Sequence, residues 1–209
     1  MATEEIPGIS TEEFWKRYAK KGAVGLVGGT LWIHRAICEA QALITPDHKP
    51  SLWAHAFIFT GKRSDGFNWL AESDLVVKPL RLRIMNGAQE SRIDKYYGNR
   101  KALHCAVLDF GLSNADADKA VKTALDMISQ KILYPVSGLI GTLLAYLSGT
   151  EKWRNLWNTR NALYCSAFVQ AAYLAAGIDL APDVATTNTG PEHLWQARVP
   201  HTAYLLKKL

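Results

Sequence analysis

The segment Trp53-Ala54-His55-Ala56-Phe57-Ile58-Phe59-Thr60 constrains this chain more than any other. It is aromatic and β-branched and apolar on both faces, so it reads as a buried strand. One residue in it stands out. Burying the His55 imidazole costs free energy unless a partner bonds it. Gly61 to Gly66 supplies turn residues, and Asn68 to Ser73 reads as the returning strand. Two short runs joined by a Gly-containing loop predict an antiparallel hairpin. Such a turn brings Glu72 near His55 on one face. A carboxylate bonded to one ring nitrogen fixes the tautomer and supports the imidazolium. A purely structural His–Glu pair accounts for the same pattern.

The rest of the chain divides by its punctuation. Ser10-Thr11-Glu12-Glu13 has the spacing of a capping box and predicts a first helix through Phe14, Trp15 and Tyr18. Gly22 to Gly29 is glycine-rich but lacks the Gly-Lys-Ser/Thr ending of a phosphate loop, so it is read as a turn with close backbone packing. A short helix is expected over Leu31 to Gln41, then a loop bracketed by Pro46 and Pro50. Leu80 to Met85 alternates Leu and Ile with Arg, as a strand with one wet face does. Leu103 to Phe110 reads as a further buried strand.

Beyond it the pattern turns helical. Ser113 and Asp116 open a helix that carries Ala117, Val121, Ala124, Leu125 and Ile128 on one face and breaks at Pro135. An apolar helix over Gly138 to Leu147 follows. Another starts near Tyr164 or Cys165 and runs to Ala176, with Gly177 at the left-handed cap. The fold expected is α+β, an antiparallel sheet packed against helices in a single domain over residues 1–209. Residues 1–50 form a helical and loop region without a firm place in it.

Composition narrows the function. The 209 residues carry 24 Lys+Arg against 19 Asp+Glu, a dispersed net charge of +5 with no basic tail, which gives no nucleic-acid signature. The start, Met-Ala-Thr-Glu-Glu, is acidic where a secretory signal is basic. The apolar stretches at Gly22–Ile33 and Val136–Leu147 are too short to span a bilayer. These features predict a soluble cytoplasmic protein without stable membrane insertion. Export by a dedicated secretion system stays open, and oligomeric state is not specified.

The three cysteines, Cys38, Cys105 and Cys165, are too few and scattered for a disulfide framework. Cys165 opens a predicted helix, where unpaired N–H groups and the helix dipole favour thiolate and can hold an oxyanion. Cys38 falls inside a helix and Cys105 inside a strand, where nothing activates a thiol. Any one of them, considered alone, is more often a small buried hydrophobe. His34 and Cys38 have i,i+4 spacing, but no further ligand completes a metal set. His48, His193 and His201 fall in a loop and the C-terminal tail, and His104 in a strand. Cys165, His55 and Glu72 together make a nucleophile, base and orienter, with Tyr164, Trp53 and Ser166 as candidate pocket residues. No metal or organic cofactor is called for.

The order of these pieces resembles the permuted papain-like cysteine amidases and peptidases, the YaeF/YiiX-type branch of the NlpC-like superfamily. The histidine strand through Gly61 comes first, then Trp69-Leu70-Ala71-Glu72-Ser73, then Leu103 to Gly111 and the helix leading to Leu133-Tyr134. Last comes Tyr164-Cys165-Ser166-Ala167-Phe168-Val169 with Ala176-Gly177. Histidine precedes cysteine, as the circular permutation requires. Two departures stand out. Ala167 occupies a place where relatives often carry Glu, and the family's Gly-Asp opening strand is not evident.

The resemblance implies a circularly permuted papain-like fold, Cys165 as nucleophile, His55 as base and Glu72 as the polar third residue. It also implies hydrolysis of an amide in a peptide or a peptidoglycan stem peptide. Three other readings share these residues: a lipid-directed thioesterase or acyltransferase, with Val136–Leu147 lining an acyl groove; an exported antibacterial cell-wall amidase; and a non-catalytic binding module that retains the fold.

Overall fold

The computed structural model describes residues 2–29, 32–78, 83–98, 103–132 and 164–207. Seven strands form one sheet: β1 (Ala2–Glu5), β2 (Val24–Gly28), β3 (His55–Lys62), β4 (Asn68–Lys78), β5 (Arg83–Arg92), β6 (His104–Asp109) and β7 (Thr202–Lys207). Their order is β1-β7-β6-β2-β3-β4-β5, antiparallel except for β1 beside β7. The helices described are α1 (Thr11–Tyr18), α2 (Trp32–Ala40), α3 (Asn114–Ser129), α4 (Cys165–Ala175) and α5 (Pro191–Trp195). None of them is long and apolar enough to cross a membrane. The class is therefore α+β, as read from the sequence.

Apolar side chains alternate along the central strands and fill two cores. Val24, Leu26, Ala56, Ile58, Ala106 and Leu108 meet Phe168, Val169, Ala172 and Tyr173 of α4 and the buried face of α3. Val27, Phe57, Phe59, Leu70 and Val107 meet Phe14 and Trp15 of α1. Period-two alternation sends neighbours to opposite faces, so a strand between two helical layers must be apolar throughout. That is why β3 reads as it does.

The caps follow their chemistry. Ser10 Oγ accepts the Glu13 N–H at 3.1 Å, and Ser113 Oγ accepts the Asp116 N–H at 3.1 Å. On α3, Ala117, Ala120, Val121, Ala124 and Met127 are buried, with Leu125 and Ile128 packed beside them. Helix α4 ends in a Schellman motif. The Ile178 N–H donates to Tyr173 O and the Gly177 N–H to Leu174 O, with Gly177 at φ 81°.

The structure corrects three expectations. Gly22–Gly29 is not a turn: Val24–Gly28 is the strand between β6 and β3. Its glycines do serve close packing, since a Cβ on Gly25 would meet the Phe57 ring at 2.0 Å and one on Gly28 the Leu52 carbonyl oxygen at 1.9 Å. The first fifty residues are not only helix and loop, because β1 and β2 belong to the sheet. The C-terminal region is not a tail but carries α5 and β7, which places His193 in a helix and His201 just before a strand. Of the strand expected at Leu80–Met85, residues 83–85 open β5, which runs on to Arg92, and residues 80–82 lie outside the described residues. The expected break at Pro135 and the helix over Gly138–Leu147 lie outside the described residues.

Candidate active site

His55 is the first residue of β3, and Glu72 lies within β4. These strands pair with Ile58 opposite Ala71. Continuing that register sets Glu72 across from Phe57 and Asp74 across from His55, on one face. The His55–Glu72 bond therefore runs diagonally, with Nε2 2.9 Å from Glu72 Oε2. A carboxylate only accepts, so Nε2 carries a proton and donates. His55 is 8 % exposed and Glu72 0 %.

Cys165 is the first residue of α4. The first bond within the helix runs from the Phe168 N–H to Tyr164 O at 2.9 Å, and Tyr164 provides no side-chain cap. The N–H groups of the first turn thus have no acceptor within the helix. Cys165 acts on His55 electrostatically and raises the imidazole. Because Nε2 faces Glu72, the nitrogen left for sulfur is Nδ1.

Glu72 is held from all sides. Its Oε1 accepts from Ser91 Oγ at 2.7 Å and Lys95 Nζ at 2.5 Å, and its Oε2 accepts from Tyr96 OH at 2.9 Å besides His55. Lys95 also reaches Asp74 Oδ2 at 3.2 Å. Lys95 and Tyr96 come from a 3-10 turn over Ile93–Tyr96 directly after β5. Tyr96 stacks on Phe57, with ring centroids 5.2 Å apart.

The charges fit one another. Burial pulls His55 down, but it is outweighed by the charge and bond of Cys165, the bond to Glu72 and the charge of Asp74, which push it up to about 10. Burial pushes Glu72 up, yet the Lys95 charge and the His55 bond hold it well below the usual carboxylate range. Burial and the charges of Glu72 and Asp74 raise Tyr96, which stays a donor. Burial lowers Lys95, but Glu72 and Asp74 reverse this and keep it cationic.

His55, Glu72 and Asp74 offer ligand atoms within 4.8 Å of one another, as a metal site does. Here the Lys95 ammonium already bridges the two carboxylates and offsets part of their charge. The His34–Cys38 pair gains no further ligand among the described residues. Burial, with Glu192 and Glu39, pushes the Cys38 thiol up to about 11. Cys105 is buried in β6.

The three expected pocket residues are all buried. Tyr164 OH donates to Thr187 O, Ser166 Oγ donates to Thr189 O at 2.5 Å, and Trp53 packs on Trp195 with centroids 5.1 Å apart. They brace the start of α4 and the entry to β3, and none presents a solvent-facing wall. That entry is pinned further. Gln41 Nε2 donates to Trp53 O at 2.7 Å, and Ser51 Oγ donates to Glu192 Oε2 at 2.5 Å.

Sequence reading did not anticipate Ser91, Lys95, Tyr96 or Asp74, and considered His34 only as half of an incomplete metal pair. Only Asp74 left a signal, since Glu72 and Asp74 at i,i+2 share a strand face. His34, on α2, is lowered by burial and by the His55 charge, and its Nδ1 is buried without a partner. Compared with protein-family models and with curated proteins, the chain finds no match in either.

Proposed function

We propose that this protein is a cysteine hydrolase of permuted papain-like fold that cleaves an amide bond in a peptide or a peptidoglycan stem peptide through a Cys165 thioester. The observation that carries this reading is a buried His55 that bonds the Glu72 carboxylate and is raised by Cys165, the first residue of a helix. The order of motifs read from the sequence supports the fold and the substrate class.

The chemistry follows from the atoms. His55 Nδ1 holds the proton of Cys165, and the thiolate attacks the carbonyl carbon. A C–S bond forms and the carbonyl π pair moves to oxygen, where the N–H groups opening α4 stabilise it. The imidazolium then protonates the departing nitrogen, and the C–N bond breaks. His55, neutral again, takes a proton from water, which attacks the thioester and releases the acid. Glu72 keeps the proton on Nε2 throughout, so Nδ1 remains the working nitrogen.

The test is intact-mass detection of a covalent adduct after incubation with a panel of wall peptides, peptide amides and acyl esters. An acyl mass on Cys165, absent in Cys165→Ala, supports the reading and names the acyl group. Adducts from acyl esters alone, with acyl transfer to lipid and no amine release from peptides, would reassign the protein as an acyltransferase. Absence of any adduct, with Cys165 no more reactive than an ordinary thiol, would leave a binding module.

A further inference from the structure

The carboxylate behind His55 is surrounded in a way that catalysis by three residues does not require. Glu72 is 0 % exposed and sits among His55 from β3, Ser91 from β5, Lys95 and Tyr96 from the turn after β5, and Asp74 from its own strand. Cys165 of α4 and His34 of α2 interact with His55 electrostatically. Among these, Lys95 is the one that supplies a positive charge to the oxygen His55 does not use. Its side chain is 24 % exposed, and it touches neither the sulfur nor the imidazole in any bond described. A carboxylate so buried otherwise favours its neutral form, in which it could no longer stabilise an imidazolium.

We infer that Lys95, backed by Tyr96, is a positioning residue that keeps Glu72 an oriented anion behind His55. This rests on the hydrolase reading for its purpose but not for its measurement. Lys95 acts on Glu72, and Glu72 acts on the imidazole. Tyr96 fixes the oxygen that faces His55, and its ring is held in turn by the stack on Phe57. Asp74 shares the Lys95 ammonium and keeps it aimed at the site.

The experiment follows the Glu72 side-chain carboxyl by carbon NMR across pH, together with the pH dependence of Cys165 alkylation, in wild type, Lys95→Met, Lys95→Arg and Tyr96→Phe. In wild type the carboxyl stays ionised from about pH 5 to about pH 8, above the ordinary carboxylate range. In Lys95→Met it titrates inside that range. The acid limb of alkylation moves up by about one pH unit, a tenfold loss at the lower pH. Lys95→Arg restores the wild-type profile, and Tyr96→Phe gives a smaller shift of the same sign. A merely structural lysine would lower alkylation at every pH and leave the midpoint in place.

A Lys95→Met carboxyl that titrates like wild type overturns the inference. If that variant does not fold, a wild-type carboxyl titrating above about pH 5 overturns it equally. The two claims separate cleanly. An inert Cys165 with the expected carboxyl titrations removes the hydrolase and keeps the clamp, whereas a reactive Cys165 with unmoved titrations does the reverse.

Discussion

Glu72→Gln keeps the shape of the side chain, removes its charge and turns one acceptor into a donor. All four groups around it donate: His55 Nε2, Ser91 Oγ, Lys95 Nζ and Tyr96 OH. A glutamine offers one oxygen and one NH₂. The Lys95 ammonium cannot face an NH₂ group, so the amide oxygen turns to Lys95 and Ser91. The NH₂ then faces Tyr96, whose hydroxyl can rotate to accept, and His55. The imidazole responds by presenting a lone pair at Nε2 and carrying its proton on Nδ1, the nitrogen that should receive the thiol proton. A wrong tautomer behind a nucleophile costs at most about 10⁴-fold in rate.

Part of the His55 population can still hold the working tautomer against a single misoriented amide. The expected loss is therefore about 10²- to 10³-fold in the rate of Cys165 acylation or alkylation, roughly 3–4 kcal/mol. Stability falls as well, because a half-buried ammonium loses its carboxylate. Lys95 keeps Asp74 at 3.2 Å and is 24 % exposed, so the cost is about 1–2 kcal/mol, short of that for a fully buried unpaired charge. Stopped-flow alkylation followed by intact mass measures the rate, and urea unfolding measures the stability. Alkylation within twofold of wild type in a folded Glu72→Gln would refute the tautomer reasoning, whatever the stability shows.

Three further predictions follow from the same geometry. Cys165→Ala folds with little change in urea midpoint and loses at least about 10⁴-fold in turnover of any substrate that acylates wild type; retained turnover moves the nucleophile elsewhere. The raised His55 makes a pH-dependent contribution to stability that is full below its ordinary 6.5, declines above it and is gone beyond about 10. The difference in unfolding free energy between wild type and His55→Ala should shrink across that window, and a constant difference would contradict the assignment. Gly28→Ala should cost about 1–3 kcal/mol, because its Cβ would stand 1.9 Å from the Leu52 carbonyl oxygen just ahead of β3; an unchanged melting temperature refutes the contact.

The parts legible in the sequence were those whose cause is local. The caps at Ser10 and Ser113 and the left-handed Gly177 are short-range signals, and each sits where the sequence puts it. The strand around His55 was legible because a strand covered on both faces can carry few polar residues, which makes an exception visible. What stayed hidden depends on partners far along the chain. Gly25 and Gly28 look like turn residues until the Phe57 ring and the Leu52 carbonyl are in place. The strand Ala2–Glu5 is exposed throughout and, among the described residues, pairs with Thr202–Leu205, so no local pattern betrays it. Lys95 and Tyr96 reach Glu72 across more than twenty residues, and nothing in their neighbourhood marks them as partners of a carboxylate.

If Cys165 and His55 share a proton, the other two cysteines supply an internal control. Cys38 is more exposed than Cys165, but burial and its acidic neighbours hold its thiol protonated up to about pH 11. Cys105 is shut inside a strand. Site-resolved alkylation by iodoacetamide at neutral pH, read by peptide mass in wild type and His55→Ala, sets accessibility against activation. The account predicts that Cys165 is labelled first, at least about tenfold faster than Cys38, and that His55→Ala removes this advantage. Cys38 labelled before Cys165, or a Cys165 rate unchanged by His55→Ala, would contradict it.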